Sequence, residues 1–359
     1  MPYSITIKEI RGKAGKVYYP LKLNLYLKPT PGPNEVLVKL HAAALNRRDF
    51  FIRQHLYPDI SFKSPLLSDG YGTVVETGPG CRNDLLNKKV VLTPSRGWQS
   101  NPEGPEDPSK FTGIGGMGAN DIGCAQDYVV VDESEVEVCP EHLNAAEAAA
   151  LPSVGLTAWR AFMIKSGNAK PGHNILVTGI GGGVALQLLQ FGVAVGCNVY
   201  VTSGDAAKIN KAKDLGAIGG VSYKADEWEK ELSKILPAER PYLDAVIDGA
   251  GGDIVSRTMN ILKPGGVIVS YGMTVAPVMD WLMHAVLRNV ELKGSTLGSR
   301  TEFTDMVNFV REKQIRPIIS RTVRGLESMD AIEGLFDDLR TNKQFGKLVI
   351  EISSDDSTT

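Results

Sequence analysis

The sequence predicts an α/β protein of two domains, a doubly wound parallel sheet joined to a β-rich, barrel-like domain. Three observations predict it. At 359 residues the chain is long enough for about two domains of 100–200 residues, each with its own core. Residues 1–140 read as short strands punctuated by Pro and Gly, the texture of a β-rich domain. From about Asn144 short apolar runs alternate with helical patterns, the texture of βαβ units.

The N-terminus, MPYSITIKEIRGK, alternates as a strand does. Strands follow at Glu35–Ala42 (EVLVKLHA), Thr73–Thr77 (TVVET), Lys88–Thr93 (KKVVLT) and Asp127–Val131 (DYVVV). Between Thr93 and Gly123 the chain is dense in Gly, Pro, Ser and Asn and has no periodicity. Two readings stay open there, a disordered excursion or a functional loop over a cleft. In the second part the strands are Asn174–Thr178, Asn198–Thr202, Gly219–Ser222, Leu243–Asp248 and Gly266–Tyr271. The helix Asp205–Leu215 is well specified: Asp205 caps its start, Ile209, Ala212 and Leu215 share one side, and Gly216 suits the stop. Beyond Gly298 two helical patterns cover Thr304–Lys313 and Ser328–Asn342, the second with Met329, Ile332, Leu335, Phe336 and Leu339 as one apolar stripe. A last alternating strand, Lys347–Ile352, is expected to return the C-terminus to the first domain. The expected domains are therefore residues 1–146 joined by 299–359, and residues 147–298.

Lys plus Arg number 39 against 41 Asp plus Glu, a net charge of −2, so the electrostatic case for nucleic acid is missing. Cys81, Cys124, Cys139 and Cys197 form no C-x-x-C pair. Neither a disulfide framework nor a cysteine-rich zinc knot is written, and a reducing, cytoplasmic location is expected. With no apolar leader core and no run of about 18 apolar residues, neither secretion nor a membrane span is expected.

The sharpest signal is the strand Ile175–Thr178 running straight into Gly179-Ile180-Gly181-Gly182-Gly183-Val184-Ala185 and an apolar helix. Glycines at a strand-to-helix turn let backbone approach a pyrophosphate, and the helix N-terminus offers unpaired N–H groups and a positive dipole end. Gly179, Gly182, Gly183 and Val184 are the candidate contacts to a dinucleotide. An NAD site wants a carboxylate about 20 residues on, at the end of the second strand. Thr202-Ser203-Gly204 stands there, and Asp205 lies beyond as a helix cap. Lys208 follows one turn later, either a solvated lysine or a group facing a 2′-phosphate. The pattern leans to NADP(H), with Ser203 at the ribose end.

In order and spacing, AAALPSVGLTAWRAF (148–162), the GIGGGVA turn, DLGA (214–217), LDAVIDGAGG (243–252), LKPGGVIVSYG (262–272) and FGKLVI (345–350) resemble the medium-chain dehydrogenase/reductase superfamily. The resemblance implies a GroES-like substrate domain made of both termini, a Rossmann cofactor domain, and an active site in the cleft between them. Zinc enzymes of that superfamily place Cys, His and Cys ligands where this chain has Asn46, Ser68 and Ser153. The four-cysteine structural zinc lobe is also absent from the sequence, so no metal is expected.

Asn46-x-x-Asp49-x-x-x-Arg53 followed by Leu56-Tyr57-Pro58 resembles the quinone reductases and zinc-less alcohol-dehydrogenase-like proteins. That likeness implies Asn46 beside the nicotinamide and the substrate oxygen, and Lys208 and Tyr223 at the 2′-phosphate. It puts Thr157, Gly272, the Leu297-Gly298-Ser299-Arg300 turn and Lys347 around the nicotinamide half. Asn46 and Thr157 are the catalytic candidates. Phe51 stands where quinone reductases often carry a tyrosine, and it has no hydrogen bond to donate. The bland readings are that Asn46 caps a turn, that Asp49 and Arg53 form an i,i+4 ion pair, and that His41, His55, His142, His173, His284 and Cys124 are structural.

The reaction expected is zinc-independent transfer of hydride from NADPH to quinones or α,β-unsaturated carbonyl compounds. Two alternatives stand beside it, a zinc-less alcohol dehydrogenase or carbonyl reductase, and a non-catalytic NADPH-binding sensor or scaffold. The expected partner is a small carbonyl or quinone substrate, with no membrane partner. Strand edges near Val267–Tyr271 and Val290–Gly294 are expected to pair two copies as a homodimer.

Overall fold

The computed structural model describes residues 1–276 and 278–354. The chain divides into two compact units, Met1–Ser153 with the chain from Ser299 onward, and Val154–Gly298.

In the first unit β1 (Tyr3–Ile7) pairs antiparallel with β2 (Leu21–Leu25). The main sheet draws on β3 (Glu35–Ala44), β4 (Asp69–Thr77), β5 (Lys89–Leu92), β8 (Tyr128–Asp132) and β9 (Val136–Val138), while β6 (Ser95–Arg96) and β7 (Thr112–Gly113) form a separate small ribbon. From the far end of the chain come α9 (Arg300–Lys313), β16 (Ile319–Arg324), α10 (Met329–Thr341) and β17 (Lys347–Glu351). The path across the sheet is β16-β17-β3-β4-β5-β9, with β8 also on β3. β17 lies antiparallel to β3, Val349 opposite Ala44, so the last strand does return to the first part of the fold. One core takes Val36, Val38 and Leu40 from β3 together with Ile332, Leu335, Phe336, Leu348 and Ile350. Short α1 (Arg47–Arg53) follows β3, and α2 (Ala145–Ala150) packs on β3, β4 and β17. That packing carries the first unit past residue 146.

One local expectation changes, and an open reading narrows. Arg53 does not pair with Asp49. Its guanidinium is 1 % exposed, forks onto Glu333 of α10 at 2.8 and 2.7 Å, donates from Nε to the Tyr19 carbonyl, and lies between the rings of Tyr18 and Phe336. Tertiary partners outcompete an i,i+4 neighbour because they satisfy the planar fork bidentately. The Gly/Pro-rich stretch is also ordered. The Glu106 carboxylate gathers the N–H groups of Ser100, Gln99 and Asn101 at 2.7–2.9 Å, and Arg96 and Thr112 close the ribbon β6–β7.

The second unit begins in α3 (Pro152–Trp159) and continues through β10 (Asn174–Val177), α4 (Gly183–Val195), β11 (Asn198–Ser203), α5 (Ala206–Asp214), β12 (Gly219–Ser222) and α6 (Trp228–Lys234). It ends with β13 (Leu243–Asp248), α7 (Ile254–Thr258), β14 (Leu262–Ser270), α8 (Met283–Leu287) and β15 (Glu291–Gly294). All six strands are parallel, in the order β12-β11-β10-β13-β14-β15. The chain starts at the centre, builds outward through β11 and β12, then crosses to β13. The order therefore reverses between β10 and β13, where doubly wound sheets leave a crevice at the strand C-termini. β10 and β13 are buried along their whole length, as strands covered by helices on both faces must be.

Candidate functional site

The glycine turn after β10 adopts the conformation its sequence requires. Gly179 (φ +66°) and Gly181 (φ +124°) use left-handed backbone that a side chain would strain. Gly182 is the N-cap of the 13-residue α4, so Gly183, Val184 and Ala185 present first-turn N–H groups. The Gly179 and Ile180 N–H groups are drawn to the Thr202 hydroxyl and carbonyl at 3.2 and 2.8 Å, which ties the turn to the end of β11. A side chain at Gly181 would meet Lys208, whose Nζ lies 3.3 Å from the place of the absent Cβ. The turn is left as bare backbone with a cation over it.

Polar groups gather at the end of β11. Ser203 is buried and its Oγ accepts the Asp205 N–H at 3.1 Å. Asp205 accepts the Ala207 N–H at 2.9 Å and is thus the cap of α5. The Tyr223 hydroxyl and Lys224 Cε stand 2.7 and 2.8 Å from where a Cβ on Gly204 would be. Ser203 and Tyr223 are therefore brought together, Lys224 joins them, and Lys208 stands over the glycine turn. Lys224 was legible only as the neighbour of Tyr223 in VSYK. Burial lowers the Lys208 pKa, against the pull of Asp205. A cationic, hydroxyl-bearing end of β11 is suited to a phosphate.

Across the strand reversal, the Thr178 hydroxyl donates to Asp248 Oδ1 at 2.6 Å, and Asp248 Oδ2 accepts the Gly251 N–H at 2.8 Å. Burial pushes this carboxyl up, while those bonds pull it down. It pins the loop after β13 beside the glycine turn. Gly272 follows β14, and Leu297 holds a left-handed φ of +36°, an uncommon backbone for a branched residue. Thr157 is buried on α3.

In the first unit Asn46 occupies the N-cap of α1, and Asp49 Oδ2 accepts its N–H at 2.7 Å. The Asn46 side chain, however, is spent elsewhere. Nδ2 donates to Asp69 Oδ2 at 2.9 Å and to Ser68 Oγ at 3.3 Å, while Oδ1 accepts from Lys347 Nζ at 2.6 Å. Lys347 also reaches Asp69 Oδ2 at 2.8 Å. Ser153 donates its N–H to Asp69 Oδ1 at 2.9 Å, and the hydroxyls of Ser68 and Ser153 lie 3.0 Å apart. Asn46, Ser68 and Ser153 thus converge on one buried cluster, completed by an Asp69–Lys347 ion pair whose side chains are 0 % and 4 % exposed. Burial lifts the neighbouring Asp49 carboxyl to about 6, with Arg48 acting against it.

These residues do not fit a catalytic zinc. An amide, two hydroxyls and an ammonium supply no thiolate or imidazole, the one carboxylate, Asp69, is already paired with Lys347, and the ammonium is itself a cation in the donor set. Among the described residues no three of His, Cys, Asp or Glu are grouped to hold a metal. Ser299 caps α9 in a reciprocal box with Glu302, at 3.2 and 2.9 Å. His41 lies between the hydroxyls of Ser353 and Thr73, His55 meets the Tyr19 hydroxyl, and His142 meets the Ile315 carbonyl. Cys124 is fully buried, and burial pushes its thiol well up. Among the described residues, no helix is long and apolar enough to cross a membrane.

Comparison with known proteins agrees with this architecture. Residues 32–141 match the alcohol dehydrogenase GroES-like domain, and residues 183–312 match the zinc-binding dehydrogenase family. A zinc-type alcohol dehydrogenase-like protein, YogA, of Leptosphaeria maculans is 65% identical over 358 residues, covering 98% of this chain and all of that one. A chloroplast envelope quinone oxidoreductase homolog of Arabidopsis thaliana is 29% identical over 361 residues, covering 94% and 99%. The crystal structure of an NAD-dependent alcohol dehydrogenase superposes with a TM-score of 0.85 at 27% identity, covering 98% of this chain and all of its own.

Proposed function

Since the chain belongs to the medium-chain dehydrogenase/reductase superfamily and is an oxidoreductase with an NAD(P)-binding domain, we propose that it reduces quinones or α,β-unsaturated carbonyl compounds with NADPH and without zinc. The observation that carries this reading is the cluster of Asn46, Ser68 and Ser153 closed by Lys347 and Asp69, in which one carboxylate, already paired with an ammonium, is the sole metal-ligating group where a catalytic zinc needs three. An acceptor already activated by conjugation needs no Lewis acid, whereas an isolated ketone is harder to reduce without one.

NADPH, when bound, supplies the hydride. Gly179 and Gly182 would let its pyrophosphate approach the backbone and Gly183 and Val184 would hold it on first-turn N–H groups, while Ser203, Lys208 and Tyr223, with Lys224, would take the 2′-phosphate. Thr157, Gly272 and Leu297 remain our candidates on the nicotinamide side of this unit. The structure neighbour described as NAD-dependent does not decide the cofactor here, because Asp205 is spent as a helix cap. The quinone-oxidoreductase relative supports the acceptor class.

We also read the protein as a homodimer of a reducing, intracellular compartment. β15 is the outer strand of its sheet, and Val275, Trp281, Met283 and Leu287 nearby are exposed. All four cysteines are free. Light scattering at micromolar concentration tests the dimer, and a monomer mass refutes it.

The test of function is NADPH oxidation over a panel of quinones, enones, and saturated ketones and alcohols, with zinc content measured on the same sample. Turnover confined to conjugated acceptors, with well under one zinc per chain, is the expected result. Stoichiometric zinc or a preference for saturated alcohols would refute the reading, and tight NADPH binding without turnover would make the protein a sensor or scaffold.

A further inference from the structure

We infer that the Lys347 ammonium is the group that stabilises negative charge on the acceptor oxygen, an inference resting on the reductase reading above. A carbonyl or quinone oxygen gains negative charge as hydride arrives and needs a donor aimed at it. Asn46, the expected donor, has both amide hydrogens engaged by Asp69 and Ser68. Ser68 and Ser153 are bound to each other at 3.0 Å. Lys347 carries three N–H donors, of which Asn46 Oδ1 and Asp69 Oδ2 take two. Among the described residues the third has no partner, although the side chain is 4 % exposed.

Charge balance supports the same assignment. A zinc held by two thiolates and an imidazole carries no net charge yet polarises an oxygen strongly. The Lys347–Asp69 pair is likewise neutral overall, and it sets a fixed positive group within 2.6 Å of the Asn46 amide oxygen, at one of the three positions that the sequence matches to the ligands of zinc enzymes. Asp69 is anchored by the Ser153 N–H and the Asn46 amide, so the ammonium is held in place before any substrate arrives. Such preorganisation gives electrostatic stabilisation its value. Lys347 is thereby reassigned from holding the cofactor to meeting the substrate.

The test uses the full-length protein, Lys347→Met and Lys347→Arg. The first readout needs no turnover: 4-nitrophenol, whose ionised form absorbs at longer wavelength, is bound to the NADP⁺-loaded protein at a pH where the free phenol is mostly neutral. Bound probe should be largely phenolate on the parent and Lys347→Arg, and neutral on Lys347→Met. The second readout is single-turnover hydride transfer to an enone at saturating NADPH, expected to fall on the order of 10²–10³ in Lys347→Met with NADPH affinity within about threefold. If Lys347→Met misfolds by circular dichroism, Asp69→Asn/Lys347→Met removes both charges and takes the same measurements. The inference is overturned if the phenol ionises equally on parent and Lys347→Met, if it stays neutral on the parent, or if Lys347→Met loses NADPH affinity but transfers hydride normally at saturation. A parent that ionises the phenol yet reduces no enone or quinone defeats the proposed function and leaves the charge-stabilising role of Lys347 standing.

Discussion

Replacing Lys208 by alanine should convert cofactor preference into near indifference, and the size of the change follows from where the amine lies. Its Nζ stands over the bare backbone of Gly181, and Tyr223 and Lys224 crowd the neighbouring Gly204. A 2′-phosphate there would accept a hydrogen bond between charged groups, worth about 1.5–3 kcal/mol. Lys208 is half-buried, so screening favours the lower half of that range, a loss of about 10–40-fold in NADPH affinity at 1.4 kcal/mol per decade. NADH lacks the phosphate and should change by less than about twofold. Lys224→Ala should give a smaller loss of the same kind. Because burial lowers the Lys208 pKa, the amine becomes neutral at lower pH than an ordinary lysine. The preference for NADPH should therefore shrink as pH rises into the alkaline range and hold steady below it. Isothermal titration calorimetry with both cofactors, at two salt concentrations, reads all of this. Equal losses for NADPH and NADH in Lys208→Ala, or equal affinities in the parent, would refute the assignment.

Arg53→Met should cost about 2–4 kcal/mol of stability, less than a fully buried pair because Glu333 is 40 % exposed, and thermal unfolding measures it. Glu106→Ala should leave the melting temperature unchanged but open residues 94–123 to limited proteolysis, since its carboxylate alone gathers three N–H groups there. Burial pushes Asp244 up, but Arg240, Lys263 and the Asn174 N–H overcome it and hold the carboxyl at about 2, below its ordinary 3.8. The carboxylate therefore favours the fold above pH 3.8, by about 2 kcal/mol at 1.4 kcal/mol per pH unit, and this is lost as pH falls through 2. Asp244→Asn should lower stability at neutral pH and flatten the acid limb over that window, which unfolding at stepped pH will show.

The cofactor half was legible because its signals are local. Gly179 to Ala185 lie in one turn, and the apolar strands needed no distant partner to be recognised. Asp205, likewise, was readable as a cap because the cap is made by its own neighbours. The polar cluster was legible only in part. Its Asn46, Ser68 and Ser153 could be matched to ligand positions, but no periodicity links FGKLVI to Asn46, and the lysine arrives by the β3–β17 register alone. Arg53 shows the same limit: an i,i+4 carboxylate was the nearest candidate in sequence, and α10 supplied a better one from 280 residues away.

Building one sheet from both ends of the chain also sets a timetable for synthesis. Asp69 leaves the ribosome 278 residues ahead of its cation, an interval on the order of tens of seconds at about 5–20 residues per second. Val154–Gly298 emerges as one uninterrupted stretch and can fold meanwhile. The first unit must wait with β3 missing a neighbour and a carboxylate without its ion pair until β17 is released. A chain cut short before Lys347 would keep its glycine turn but never close the polar cluster, so that cluster is the last of the two candidate sites to be assembled.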